Sequence, residues 1–254
     1  MLIEPTLQKL HALRLSEMAS AWQDSLRNPN AVQLSFDERF ALLVDAEYAS
    51  RDQRRLNRLL KDAQLSLPGA CLEDFQATPE RGFNASLLMQ LSQGPWINEH
   101  QNVLICGATG VGKSYLACAL GQRACRRGLR VLYRRVPRLF EELSLARAEG
   151  NYRRVLLRFA KHEVLVLDDF GIGTLRDSER QDLLELLEDR YGKRSTVITS
   201  QLPLTHWHQW IGDPTLADAI LDRLVHNAYK VTLKGHSRRK TAPNNPTEVN
   251  NIEI

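Results

Sequence analysis

Apolar residues in the first part of the chain recur at helical spacing. Leu7, Leu10, Leu13 and Leu15, followed by Met18, Ala19 and Trp22, predict helix up to the break at Asn28-Pro29-Asn30. A second start follows at Ser35-Phe36-Asp37-Glu38. Ser35 is placed to cap the helix, and Glu38, three residues on, to close a capping box. The helical pattern then continues through Phe40, Leu43, Val44, Leu56, Leu59 and Leu60, with no strand-like alternation. Residues 1–65 therefore read as a small all-helical N-terminal domain. Pro68-Gly69, Pro79, Gly82 and Gly94-Pro95 are breakers, and predict a linker over 66–100 with one short helix near 86–91.

From residue 101 the pattern changes. Short apolar runs at 103–106, 129–136, 164–167, 196–199 and 229–233 alternate with helical stretches at 114–127, 137–148, 152–162, 178–191 and 215–226. Continuous apolar strands between helices predict an α/β fold whose five-stranded parallel sheet is covered on both faces. The final stretch, 241–254, is polar with two prolines and several asparagines, and reads as a disordered tail. The sequence shows no internal repeat.

Composition adds limits rather than detail. With 43% hydrophobic and 25% charged residues, the 254-residue chain is of ordinary globular type. No apolar run approaches the roughly 20 residues that span a bilayer. The first residues lack the basic start and apolar core of a signal peptide, so the expected location is the cytoplasm, with no membrane partner. Cys71, Cys106, Cys118 and Cys125 have neither C-x-x-C spacing nor neighbouring histidines. They read as small buried hydrophobes, not as a zinc site or disulfide framework. His206 and His208, beside Trp207 and Trp210, read as helix-capping and core residues.

The strongest chemical signal is Gly107-Ala108-Thr109-Gly110-Val111-Gly112-Lys113-Ser114, which fits G-x-x-x-x-G-K-[ST] between an apolar strand and a helix. The glycines let backbone N–H groups turn inward around phosphates. Lys113 is suited to neutralise the β- and γ-phosphates of ATP, and the Ser114 hydroxyl to ligate Mg²⁺. The helix beginning there, through Tyr115, aims its positive end at the anion. Asp168-Asp169 directly follow the buried run 164–167, at the strand end where open α/β sheets bind ligands. Asp168 is expected in the Mg²⁺ shell, and Asp169 is expected to orient or deprotonate an attacking water.

These segments, with Ile198-Thr199-Ser200-Gln201, resemble an AAA+ module. More specifically they resemble the IstB-type ATPases, transposition helpers encoded beside the transposase of bacterial insertion sequences, which are similar to the DnaC/DnaI helicase loaders and the DnaA initiators. The resemblance covers roughly residues 1–240. It is most specific in the helical N-terminal segment, in Asp168-Asp169-Phe170-Gly171, and in Leu221-Asp222-Arg223-Leu224 with Lys234-Gly235-His236-Ser237-Arg238-Arg239. It implies an AAA+ ATPase at 101–240, with a sensor of the γ-phosphate at Ser200 or Gln201. Arg223 is implied as an arginine reaching a neighbouring subunit's site, and Arg239 as a weaker second sensor. An arginine donated in trans makes the monomer's site incomplete, so ATP is expected to favour a homo-oligomer. Asp169 stands where many AAA+ proteins carry Glu, and the shorter side chain implies slow hydrolysis.

The net charge of +4 says less than its distribution. Seven arginines and no acid lie between Arg123 and Arg138, and five cations with one Asp between Arg51 and Lys61. On a helix through 48–63, Arg51, Arg54, Arg55, Arg58 and Lys61 share a face about 120° wide, with Tyr48, Leu56, Leu59, Leu60 and Ala63 opposite. Arg134, Arg135, Arg153, Arg154 and Arg158 form a second candidate surface. Contacts of this kind go mainly to phosphates, so duplex DNA bound with little sequence preference is the expected polyanion. Together with the resemblance this gives an ATP-dependent helper of a transposase. A helicase loader, a small-molecule kinase and a non-hydrolysing switch are the competing readings.

Overall fold

A computed structural model describes residues 3–237 of the chain. The tail expected at 241–254 lies outside them. The fold divides between Leu59 and Leu60 into two compact units.

The first unit holds α1 (Ile3–Ala12), α2 (Ser16–Arg27), a 3₁₀ turn at Pro29–Gln33, and α3 (Phe36–Ala63), which runs past the division. The periodic run expected as one helix is two. Arg14 takes a left-handed φ of 60°, and α1 ends in a Schellman pattern. The Leu15 N–H reaches the Leu10 carbonyl at 2.8 Å and the Arg14 N–H that of His11 at 2.9 Å. The capping box of α3 forms as the spacing predicts. The Ser35 N–H donates to Glu38 at 2.8 Å and the Glu38 N–H to the Ser35 hydroxyl at 3.3 Å. Tyr48 departs from expectation, since it is 71% exposed. The inward position beside it is Glu47, whose carboxylate accepts the N–H groups of Glu17 and Met18 and so caps the start of α2.

The second unit carries the sheet. β1 (Asn102–Gly107), β2 (Val131–Arg135), β3 (Val164–Phe170), β4 (Ser195–Ser200) and β5 (Ala228–Leu233) are all parallel, in the order β2-β3-β4-β1-β5. The connecting helices are α6 (Lys113–Arg126), α7 (Val136–Ala148), α8 (Tyr152–Ala160), α9 (Asp177–Arg190), α10 (Trp207–Ile211) and α11 (Pro214–Val225). Leu104, Leu132, Leu165, Leu167 and Ile198 pack with residues of α7 to α11 in one buried cluster. On the α6 side, Leu65 and Val131 crowd Gly121 so closely that a Cβ there would meet them at 3.0 and 3.3 Å. β2 stops one residue earlier than its apolar run suggests, because Pro137 suits the first turn of α7.

The expected linker is a correction of substance. Residues 66–100 belong to the second unit, with α4 (Ala85–Gln93), α5 (Pro95–Asn98) and a 3₁₀ turn at Pro79–Arg81. Ala70, Leu72, Phe75, Phe83, Leu91, Trp96 and Ile97 are all buried. Their prolines and glycines bend the chain without removing it from the core.

Asn102, 8% exposed at the start of β1, ties three elements. Its amide donates to the carbonyls of Arg223 at 3.0 Å and Leu224 at 3.2 Å, at the end of α11, and its oxygen accepts the Thr196 N–H of β4 at 2.9 Å. Replacing Asn102 with Ala strands a buried N–H. We expect a loss of about 1–3 kcal/mol in the urea unfolding of the sheet unit.

Candidate nucleotide site

β1 delivers the chain into residues 107–112 and α6 begins at Lys113. Two glycines set this path. Gly107 (φ 152°) passes so near β5 that a Cβ would sit 2.3 Å from the Leu233 carbonyl oxygen, and Gly112 (φ 99°) turns the chain into the helix. Lys113 is 8% exposed, and its ammonium crosses the loop to the Ala108 carbonyl at 2.8 Å. Ala108 and Thr109 are exposed at the rim, and Ser237 lies against Gly110.

Next to the loop stands Asp168, 3% exposed. Its carboxylate accepts the Ser114 hydroxyl of α6 at 3.0 Å, the Tyr133 phenol of β2 at 2.6 Å, and the Thr199 hydroxyl of β4. Burial, and then the Asp168 carboxylate itself, push the Tyr133 phenol up, so it remains a donor. β3 is irregular between Leu167 and Phe170, where its register with β4 shifts. Within that irregularity Asp169 takes φ 61°, unusual for a residue with a side chain. Its N–H donates to Thr199 at 3.2 Å, and its carboxylate pairs with Arg135 at 2.6 Å. An ammonium, a hydroxyl and a buried carboxylate at a helix N-terminus are the donor set that suits a nucleotide's phosphates with a divalent cation. No cluster of metal-ligating side chains stands elsewhere among the described residues.

The chain matches the family of IstB-like ATP binding proteins over residues 8–245. It belongs to that family. It is 50% identical over 240 residues to the insertion-sequence ATP-binding protein y4pL of Sinorhizobium fredii, covering 94% of this chain and 98% of the relative. It is 48% identical over 203 residues to the ATP-binding protein of insertion sequence IS1162 from Pseudomonas fluorescens, covering 80% and 88%. Its fold is that of the AAA+ proteins. It superposes on DnaI with a TM-score of 0.56 at 23% identity, over 72% of this chain and 93% of that one. On the DnaC helicase loader the score is 0.53 at 22%, over 65% and 97%.

In this IstB-like chain the two sensor candidates are placed differently. The Ser200 hydroxyl is spent inside the protein, donating to the Phe170 carbonyl at 2.6 Å and accepting the Leu202 N–H at 3.0 Å. Gln201 instead accepts the Thr109 hydroxyl at 2.8 Å and so faces the loop. Tyr115 turns from the loop toward residue 71, its hydroxyl 3.3 Å from the Cys71 carbonyl. Arg223 lies near the opposite edge of the sheet. It pairs with Glu188 and donates to Ala219, lining a cavity of about 340 Å³ with Arg190, Arg194 and His226. Arg239 falls outside the described residues.

The candidate DNA contacts are less bare than their spacing suggests. Arg51 pairs with Glu47 and Arg54 with Glu17, while Arg58 and Lys61 are exposed on α3, as is Arg55. The second surface is neutralised by acids distant in sequence. Arg134 is held by Glu142 and Gln64 with only 14% of its side chain exposed, Arg153 by Glu185 and Asp189, and Arg158 by Glu142. Arg154 is exposed. Among the described residues no helix is long and apolar enough to cross a membrane.

Sequence reasoning missed Tyr133, Thr199 and the Arg135–Asp169 pair. The last follows from the parallel register that sets Arg135 beside Asp168, which no local run of residues announces. Tyr133→Phe removes one donor from a buried carboxylate while keeping the ring. We expect the Mg²⁺ concentration needed for half-maximal binding of a fluorescent ATP analogue to rise about tenfold, as loss of about 1–2 kcal/mol implies.

Proposed function

We propose that this protein is an ATP-driven helper of DNA transposition. It binds ATP with Mg²⁺ at residues 107–114, assembles on duplex DNA with little sequence preference, hydrolyses ATP in sites shared between subunits, and assists a transposase. The observation that carries the reading is the meeting of Lys113, Ser114, Asp168, Asp169 and Gln201 at one edge of the sheet, in a chain about half identical to proteins named for insertion sequences. The loader likeness, by contrast, is one of fold.

The division of labour follows from the geometry. Lys113 and the backbone amides of the loop would hold the β- and γ-phosphates. Ser114 and Asp168 would hold Mg²⁺, which when bound neutralises phosphate charge. Gln201, steadied by Thr109, would touch the γ-phosphate, and Asp169 would orient water. Arg223 would complete a neighbour's site, because it stands at the far edge from its own loop. To do so it must leave Glu188. Duplex phosphates would be met by Arg58 and Lys61 on α3, with Arg51, Arg54, Arg55 and Arg154 as secondary contacts.

The test combines ATP turnover with sedimentation, with and without duplex DNA, at two salt concentrations. Large species that need both ATP and duplex, and that high salt dissolves, support the reading. A monomer whose turnover ignores DNA sinks it. Arg223→Ala is expected to leave nucleotide binding intact and lower turnover about a hundredfold or more, the scale of a lost charge contact to the transferring phosphoryl group.

The pair between Arg135 and Asp169 adds a second expectation. While Arg135 holds it, the Asp169 carboxylate is engaged in a charged hydrogen bond and is less available to orient water. Arg135→Ala should therefore raise turnover in the absence of DNA. Equal or lower basal turnover in a steady-state phosphate-release assay would show that the pair does not restrain Asp169.

A further inference from the structure

Arg81 lies in the stretch whose breakers resemble a linker. It ends the 3₁₀ turn Pro79–Arg81, which is fastened to the end of β5. The Lys234 N–H donates to the Arg81 carbonyl at 2.9 Å, and Gly82 (φ 69°) approaches Thr232 so closely that a Cβ would sit 2.4 Å from its carbonyl oxygen. From this anchored turn the Arg81 side chain runs inward and is 8% exposed. Its guanidinium donates to the Val111 carbonyl at 2.8 Å and to the Gln76 carbonyl, and lies 4.5 Å from the centre of the Phe75 ring. Phe75 is itself held edge-on by Phe83 at 5.5 Å and stacked by Tyr115 at 6.3 Å. A buried guanidinium is costly unless it is hydrogen-bonded, and here two carbonyls and a ring face meet it.

Val111 is part of the phosphate loop, and its carbonyl belongs to the same peptide plane as the Gly112 N–H. In a trans peptide these two groups point in opposite directions. Whatever holds the carbonyl outward aims the N–H inward. Gly112 lacks a side chain on the face where the guanidinium stands, 3.3 Å from the position a Cβ would take. Without a Cβ at Gly112, side-chain sterics do little to fix that peptide's orientation, and a hydrogen bond to the Val111 carbonyl can. We propose that Arg81 is a positioning residue for nucleotide binding. By gripping the Val111 carbonyl it fixes the 111–112 peptide plane, so that the Gly112 N–H faces the phosphates before nucleotide arrives. Its charge, beside that of Lys113, adds to the field that attracts them. This inference rests on the nucleotide site proposed above and adds to it a residue 30 positions before Val111.

Two variants test it. Arg81→Lys keeps the charge and most of the stem but cannot bridge two carbonyls in a plane. Arg81→Gln removes the charge. Each is compared with the wild-type chain in three measurements: affinity for a fluorescent ATP analogue, hydrogen exchange of residues 107–114 without nucleotide, and melting temperature without nucleotide. We expect both variants to bind about tenfold or more weakly, the scale of one charge-assisted hydrogen bond. Exchange in the loop should be faster, and both should stay folded at the assay temperature. A merely structural arginine would lower the melting temperature and leave affinity and loop exchange of the folded protein unchanged, which would overturn the proposal. Arg81→Lys decides alone if Arg81→Gln does not fold. Failure of the wild-type chain to bind the analogue would overturn the nucleotide reading and this one together. Binding by the wild type with no loss in Arg81→Lys would overturn this one only.

Discussion

A carboxylate with 3% exposure has lost nearly all its water and must find donors within the protein. Asp168 finds them on β2, β4 and α6, and this requirement organises the site. Tyr133 reaches it from one flanking strand, Thr199 from the other, and Ser114 from the first turn of the helix that follows the phosphate loop. Three connections that are far apart in sequence are thereby drawn to one point. A parallel sheet is what makes this possible, since it brings the ends of β1, β3 and β4 to the same edge. Thr199 does more than one thing there. It donates to Asp168 and accepts the Asp169 N–H, so the two neighbouring acids are held in different directions by one hydroxyl.

The arginines of this chain are distributed by the same logic. A run that reads in sequence as bare positive charge is largely matched by acids supplied from other elements. Glu142 serves both Arg134 and Arg158, and Asp169 meets Arg135. Arg190 carries burial to its limit. It gives its hydrogen bonds to carbonyls at the end of α8 and the start of β4, and burial pushes its pKa down to about 9. Such arginines hold the fold together.

What could be read from the sequence, and what could not, follows from distance along the chain. The strand–loop–helix of residues 102–126 is legible because its chemistry needs contiguous residues. β1, β3 and β4 are legible because both faces of each are buried, which makes their centres apolar runs, whereas β5 alternates buried and exposed residues. The partners of charged groups are not legible in this way. Nothing near Arg135 announces Asp169, and nothing near Val111 announces Arg81. Breakers misled for a different reason. Pro79 and Gly82 mark a change of direction, and a bent chain can be as well packed as a straight one, as Phe75 and Phe83 are. The helix break at Arg14 was hidden because a residue with a side chain took the left-handed position that usually advertises itself with glycine.

The amide of Asn102 has a consequence for symmetry. It fastens the end of α11, which bears Arg223, to the amino end of the strand whose carboxyl end is the phosphate loop. The two features thus lie at opposite ends of one strand, and in the proposed assembly the arginine that meets a loop would come from another copy. A contact that joins the arginine of one copy to the loop of another uses two different surfaces, so it is head-to-tail and does not close on itself as a two-fold dimer would. Repeated without ring closure, it leaves an unfinished loop at one terminus and an idle arginine at the other. In such an array completed sites number one fewer than subunits, and the two ends are chemically distinct. The array would have a direction, and with it a means of telling one side of its binding site on a polymer from the other.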